Sequence, residues 1–375
     1  MRVALVTEDF HPRPGGIPEH VRHLARELRR TGHVAIVITS RVPGYEQEEP
    51  LVRRVGTSRT IYNNGAFAHL TVGWGLTRRL EAVLGGGRFD VVHVHRALVP
   101  TLGILAPRVA IALGIPVVAT FHSWLPRSLG YRLFRRPLQR LLDRFAASIA
   151  VSPSVVATMS RYFHAPWNVI PNGVDLEEFH PDGDERRAAP ATGPVLLFLG
   201  RLDPRNGLGT ILAAMPQVMA HFPTAHLVVA GDGPLRRLYE RRASSLGVDV
   251  RFLGRVYEER AALYRAADIC LCPATRASFG VTLLEAMACG TPLIISDIPA
   301  FRHLVGSEAG VLVPQDDPSS WVQAVRALLS DTDRRRSMRA VGLAKAKRYA
   351  WPLIAHQLLQ VYDQAISGGG RHELA

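Results

Sequence analysis

Residues 1–39 read MRVALVTEDFHPRPGGIPEHVRHLARELRRTGHVAIVIT. A short apolar run, Arg2 to Thr7, ends in a turn rich in proline and glycine. A stretch with apolar residues at helical spacing follows, and a second β-branched run, Val34 to Thr39, closes the unit. Two strands joined through a helix form a parallel pair, because a parallel connection needs a dozen or more residues. The alternation recurs. Strands are predicted at Val91–His95, Pro116–His122, Ser148–Ser152 and Asn168–Pro171, then at Val195–Leu199, His226–Ala230, Val250–Leu253, Ile269–Pro273, Leu293–Ser296 and Val311–Val313. The fold class is therefore α/β, with doubly wound parallel sheets.

At 375 residues the chain exceeds what one core of roughly 250–300 residues holds, so two domains are expected. Between Phe179 and Pro194 the text FHPDGDERRAAPATGP loses periodicity and fills with proline, glycine and charge, as a linker does. The expected domains are residues 1–184 and 185–350. A last helix, 351–367, has apolar Leu353, Ile354, Leu358, Leu359, Val361 and Tyr362 in need of a surface. A content of 47% hydrophobic and 21% charged residues excludes a mainly disordered chain or a coiled coil. No uncharged apolar run reaches the ~20 residues of a spanning helix, and the chain opens straight into a strand, so a cytoplasmic protein is expected. Cys270, Cys272 and Cys289 are too few for a disulfide framework and read as buried thiols.

The charge is lopsided. The net is +13, and residues 1–180 carry 22 arginines against 13 acids. An anionic partner is expected: nucleic acid, a membrane surface or a phosphorylated substrate. No nucleic-acid module motif is present, so no nucleic-acid partner is expected. The stretch Arg127 to Arg144 interleaves Arg132, Arg135, Arg136 and Arg140 with Leu133, Phe134, Leu138 and Leu141, which favours an anionic membrane face.

Ligands of open α/β sheets bind beyond the carboxyl ends of the strands, so the loops there are read first. Gly15 and Gly16 precede the first helix, where a bare backbone and free N–H groups suit phosphate; a plain tight turn is the alternative. His122 ends the strand PVVATFH in front of a loop, as a cleft-facing or a structural histidine. His93 and His95 have the spacing of a metal pair but lack a third ligand, so no metal site is expected there. Arg201 follows a strand and leads into a turn and helix, a place where a guanidinium suits a diphosphate. In SFGVTLLEAMACGTP, the turn Ser278–Gly280 opens a helix that carries Glu285, an acceptor for vicinal hydroxyls or a capping acid. The GDG at Gly231–Gly233 lacks the third glycine of a dinucleotide fingerprint.

Taken in order, the PGG loop, DVVHVH, TFHS, AVSPS, VIPNGVD, GRLDPRNG, AGDGPL, VRFLGRV and SFGVTLLEAMACGTP resemble the retaining glycosyltransferases of family 4 over nearly the whole chain. YNNGAFAHLTVG adds a likeness to the bacterial phosphatidylinositol mannosyltransferases. The resemblance implies the GT-B fold, two Rossmann-like domains facing a cleft, with the terminal helix crossing back onto the first domain. It implies retaining transfer of a hexose, mannose or glucose, from a GDP- or UDP-sugar to a hydroxyl, foremost of a membrane phospholipid or glycolipid. A soluble or polysaccharide acceptor, or a degenerate binding relative, stays as the alternative.

Carried over residue by residue, Gly15 and Gly16 meet a phosphate, His122 the transferred sugar, Arg201 and Asn206 the diphosphate, and Glu285 the ribose. The segment at Arg255 and Val256 meets the base. Phe279, Gly280, Val281 and Thr282 offer backbone amides, and Tyr62 and Asn63 the acceptor side. Catalysis is assigned to His122, Arg201 and Glu285. No tightly bound cofactor is implied and no protein-bound metal is required, since no Asp-x-Asp pair stands at a strand end. Two departures stand out: Ala277 occupies the place of the family's first glutamate, and Asn206 that of its lysine, with Arg276 and Arg205 nearby. Oligomeric state stays open.

Overall fold

A computed structural model describes residues 1–13, 15–45, 47, 49–63, 66–125, 127–183 and 193–369. The expected domain boundary at 184/185 lies outside the described residues. The chain divides into two compact units, Met1–Asn172 with the segment from Trp351 onward, and Gly173–Ala350.

The first unit holds eight strands: β1 (Arg2–Val6), β2 (Val34–Arg41), β3 (Val52–Asn63), β4 (Ala66–Val72), β5 (Val91–His95), β6 (Val117–Phe121), β7 (Ala147–Ala150) and β8 (Trp167–Val169). Their order is β4-β3-β2-β1-β5-β6-β7-β8, parallel except for β4. The second unit holds β9 (Val195–Leu199), β10 (His226–Ala230), β11 (Val250–Gly254), β12 (Ile269–Cys272), β13 (Leu293–Ser296) and β14 (Gly310–Val313), in the order β11-β10-β9-β12-β13-β14, all parallel. These are the two parallel-sheet α/β domains that the residue pattern implied.

Central strands are buried on both faces, which is why β5 (VVHVH) and β6 (VVATF) are dense in β-branched and apolar residues, with His93, His95 and Thr120 as their buried polar members. On the first sheet, Leu24 and Leu28 of the helix Gly16–Arg30 and Ile354, Leu358 and Tyr362 of the helix Trp351–Gly369 share one core with Val3, Leu5 and Val118. On the second, Leu212 and Met215 of the helix Leu208–His221 and Trp321 and Val325 of the helix Pro318–Ser330 close over Leu196, Phe198 and Leu227.

The β3–β4 hairpin escapes the sequence reading. As an edge pair it needs only one apolar face, so arginine, threonine and serine alternate through β3 where a central strand would be continuous. Gly56 breaks the run further: its φ is +63°, and a Cβ there would lie 2.6 Å from Thr71 Cγ2 and 2.9 Å from the Val72 carbonyl oxygen. Among the described residues, no helix is long and apolar enough to cross a membrane.

Candidate functional site

In each sheet the strand order reverses direction at one point, and the loops there form the crevice of a doubly wound fold. In the second unit that point lies between β9 and β12. The loop after β9 carries Arg201 and runs into a 3-10 turn, Pro204–Asn206. Buried Asp203 holds this loop: its Oδ1 accepts from the backbone N–H of Arg205 and Asn206, and its Oδ2 from Arg205 Nη2 at 2.9 Å. Asn206 Nδ2 donates to the Arg201 carbonyl at 2.8 Å. The residue in the family's lysine position thus tightens the loop, and Arg205 is tied to Asp203. Arg201 lies 3.9 Å from Asp203, with its side chain 41% exposed.

The loop after β12 joins the first directly, because Thr275 N donates to the Arg205 carbonyl at 2.8 Å. Gly207 permits this approach: its φ is +71°, and a Cβ would meet the Pro273 carbonyl oxygen at 2.0 Å. Gly231 and Gly233 serve the same purpose. Their absent Cβ atoms would fall 1.9 Å from the Gly200 oxygen and 2.4 Å from the Leu202 oxygen. The GDG is a packing device for the β10 loop, not a fragment of a dinucleotide fingerprint. Arg255, exposed after β11, reaches Asp232 of that loop at 3.5 Å, and half-buried Val256 follows it.

Beyond half-buried Ala277 and exposed Arg276 comes buried Phe279. Gly280, at φ +119°, starts the helix Val281–Ala288, which no side chain caps, so Val281 and Thr282 present backbone amides at its opening. Glu285 lies inside that helix and is 3% exposed. Its Oε1 accepts from Arg260 Nη1 at 2.7 Å and its Oε2 from the Tyr264 hydroxyl at 3.0 Å. Burial, with the Glu285 charge beside it, pushes the Tyr264 pKa well up, so that hydroxyl stays a donor. Neither partner was found from the sequence, because both come from the separate helix Arg260–Ala266.

In the first unit the order reverses between β1 and β5. Gly15, at φ +152°, is the residue before the helix Gly16–Arg30, and Gly16 is exposed with open space where a Cβ would go. The same crevice holds residues the sequence reading passed over. Glu8 accepts from the backbone N–H of Thr101 and Leu102 and from the Thr71 hydroxyl, while burial pushes its pKa up. Asp9 accepts from Arg96 Nη1 at 2.6 Å. Their signal was position alone: two acids straight after β1 and an arginine straight after β5. His122 follows β6, and Tyr62 and Asn63 end β3, their side chains lying outside the described residues.

His122 does not stand alone. Its Nε2 lies 3.0 Å from His95 Nδ1, and the His20 ring is 4.9 Å away between centroids. Burial lowers the His122 pKa well below the ordinary imidazole value and keeps the ring neutral. His93, by contrast, is satisfied on both sides, with Tyr362 and Thr120 oxygens at 2.6 Å.

Residues 14–178 match the model described as Glycosyltransferase Family 4, and residues 193–331 that described as Glycosyl transferases group 1. The chain is 33% identical to a phosphatidyl-myo-inositol mannosyltransferase of Mycobacterium tuberculosis, over 100% of both chains. It is 29% identical to that organism's GDP-mannose-dependent alpha-(1-6)-phosphatidylinositol dimannoside mannosyltransferase, over 96% of this chain and 95% of the relative. A sucrose-phosphate synthase from Thermosynechococcus elongatus superposes with a TM-score of 0.78 at 24% identity, covering 98% and 99% of the two chains, a likeness of fold. Two doubly wound sheets, family models matched over residues 14–178 and 193–331, and a full-length match at a third identity meet in one conclusion: the chain belongs to glycosyltransferase family 4.

Proposed function

We propose that this glycosyltransferase moves mannose from GDP-mannose to a hydroxyl of an inositol phospholipid at an anionic membrane face, with retention of anomeric configuration. The observation that carries the reading is the end-to-end similarity to a phosphatidyl-myo-inositol mannosyltransferase. The donor base and sugar follow the relative whose name specifies GDP-mannose. In the C-terminal unit, Arg201 and the amides opening the helix Val281–Ala288 stabilise the charge that grows on the leaving diphosphate. Glu285 accepts from the ribose hydroxyls, with Arg260 and Tyr264 fixing its orientation, and the strand-end segment at Arg255 and Val256 meets the base. In the N-terminal unit, neutral His122 makes a hydrogen bond to the sugar, Gly16 gives a phosphate group close access to backbone N–H, and Tyr62 and Asn63 serve the acceptor.

The chemistry breaks the bond from the anomeric carbon to the diphosphate oxygen and forms one to the acceptor oxygen on the same face. The acceptor proton leaves on the departing diphosphate. No protein nucleophile is required. Asn206 and Ala277 remove one cation and one carboxylate from the family pattern, so the donor site relies on Arg201 for diphosphate charge.

An exposed basic face supports the lipid surface. Arg127, Ser128, Leu129, Arg132, Arg135, Arg161 and Tyr162 line an open basin of about 680 Å³, and Leu129, Leu133 and Phe134 are exposed beside it. Arginines flanked by exposed apolar side chains suit a charged bilayer interface. The donor half is tested by a thermal-shift panel of GDP-, UDP- and ADP-hexoses. GDP-mannose at 100 times its dissociation constant adds about 2.7 kcal/mol. A shift with UDP- or ADP-sugars alone rejects the GDP assignment.

A further inference from the structure

The N-terminal unit groups His122 with two further imidazoles, His20 and His95, to which the proposed sugar transfer gives no role. His20 sits on the helix Gly16–Arg30, His95 ends β5 and His122 follows β6, so three separate elements bring them together. They are 4%, 1% and 9% exposed. Their ring centroids stand 5.3, 4.9 and 5.3 Å apart, and one nitrogen from each ring lies within 4.8 Å of the others. Three imidazoles on a tetrahedral ion, with metal–nitrogen bonds of ~2.0–2.1 Å, place their ring centres about 5 Å apart. The observed triangle has that size.

Its polar atoms are unsatisfied. Both ring nitrogens of His20 and Nε2 of His95 are buried without a hydrogen-bond partner. Buried polar atoms are nearly always paired, and an ion held by one nitrogen of each ring would satisfy one of the two on His20, leaving the other toward Asn172. The His95–His122 contact of 3.0 Å forces one ring to carry a proton toward the other, whereas a cation there would accept both lone pairs. Burial lowers the pKa of all three rings and so favours the neutral, ligating form. His93 backs the site from 4.2 Å without joining it. His122, the most exposed of the three, gives an ion its way in.

We infer that His20, His95 and His122 form a binding site for a divalent transition-metal ion of the zinc class, with one coordination position open. The sequence reading missed it because the third ligand lies 75 residues before His95 on a helix, outside any ligand spacing. This ion is not a diphosphate-bound cation, since an all-imidazole site selects zinc, nickel, cobalt or copper over magnesium. Resting on the proposed role of His122, the ion and the donor sugar compete for that ring, and the occupied site holds transfer in check.

The test is a titration of the chelator-stripped full chain with cobalt(II) chloride, followed by visible absorption. One equivalent should develop the bands of tetrahedral cobalt and be displaced by one equivalent of zinc. His20→Gln and His95→Gln, shown folded by circular dichroism, should each weaken binding more than about 100-fold. Cys272→Ser should leave it intact, which separates the site from the thiols of the other unit. A folded parent that binds no cobalt, histidine variants that bind as the parent does, or loss of the ion with the cysteine variant each overturns the site. Zinc should also inhibit transfer by the parent but not by His20→Gln. Binding without inhibition overturns the competition alone, and a chain that binds cobalt but transfers no hexose overturns the transferase reading while leaving the site in place.

Discussion

Glu285 is charged, almost fully buried, and held by Arg260 and Tyr264. Removing it altogether takes from Arg260, whose side chain is 16% exposed, its 2.7 Å ion pair and leaves Glu178 at 3.5 Å, and breaking a buried pair costs up to ~3–5 kcal/mol of stability. Glu285→Gln is the cleaner probe, since it keeps the shape and one acceptor. We expect it to weaken GDP binding roughly 10- to 100-fold, the worth of a charged hydrogen bond, in calorimetry on a protein that still melts cooperatively. Unchanged affinity would remove the ribose role. Two glycines make a paired test. Gly231→Ala drives a Cβ into the Gly200 carbonyl and should lower Tm by roughly 2 to 12 °C. Gly16→Ala meets nothing within 4 Å, so Tm should hold while turnover falls if a phosphate approaches there. Unaltered turnover would make Gly16 a plain turn. At this scale the residues after strands were legible because their position declares them. The partners of Glu285, the Glu8–Asp9–Arg96 group and His20 were not, because each arises from contacts distant in sequence.

Among elements, the helix Trp351–Gly369 is distant in sequence from the first unit's strands and yet completes their core. Leu358 is fully buried there, and Leu358→Ala should cost ~2–5 kcal/mol, visible as a lower unfolding midpoint in urea. A midpoint within error of the parent would mean that this helix does not stabilise the unit. Its amphipathic spacing was readable from sequence, as were the parallel strands around each reversal point, because burial on two faces leaves short runs dense in β-branched and apolar residues. The β3–β4 hairpin was not, since an edge pair half open to solvent carries a weaker pattern. The segment Arg127–Arg144 folds into two short helices, Leu129–Leu133 and Arg135–Leu142, which leave Leu133 and Phe134 exposed among arginines. Replacing Arg132, Arg135 and Arg136 together by Gln should weaken binding to phosphatidylserine-containing vesicles about 100-fold at low salt, at ~1 kcal/mol per arginine. Sedimentation that is the same for the triple variant, or insensitive to salt, would place the membrane contact elsewhere.

For the whole molecule, the net charge of +13 suits the anionic ligands that the proposed reaction would bring to both sides, a diphosphate leaving group and a phospholipid acceptor. Fold class and family could be read from the order of the motifs. Which base, sugar and acceptor are used depends on side chains in loops whose spacing carries no such information, and the relatives supply that part of the proposal. The account therefore rests most directly on one reaction. GDP-mannose labelled in the sugar is incubated with the full chain and vesicles containing phosphatidylinositol, and the organic extract is counted and its linkage determined by NMR. The account predicts label in the lipid phase that depends on phosphatidylinositol, in α-linkage, retaining the donor's configuration. Label that stays in water, or a β-linked product, would contradict it.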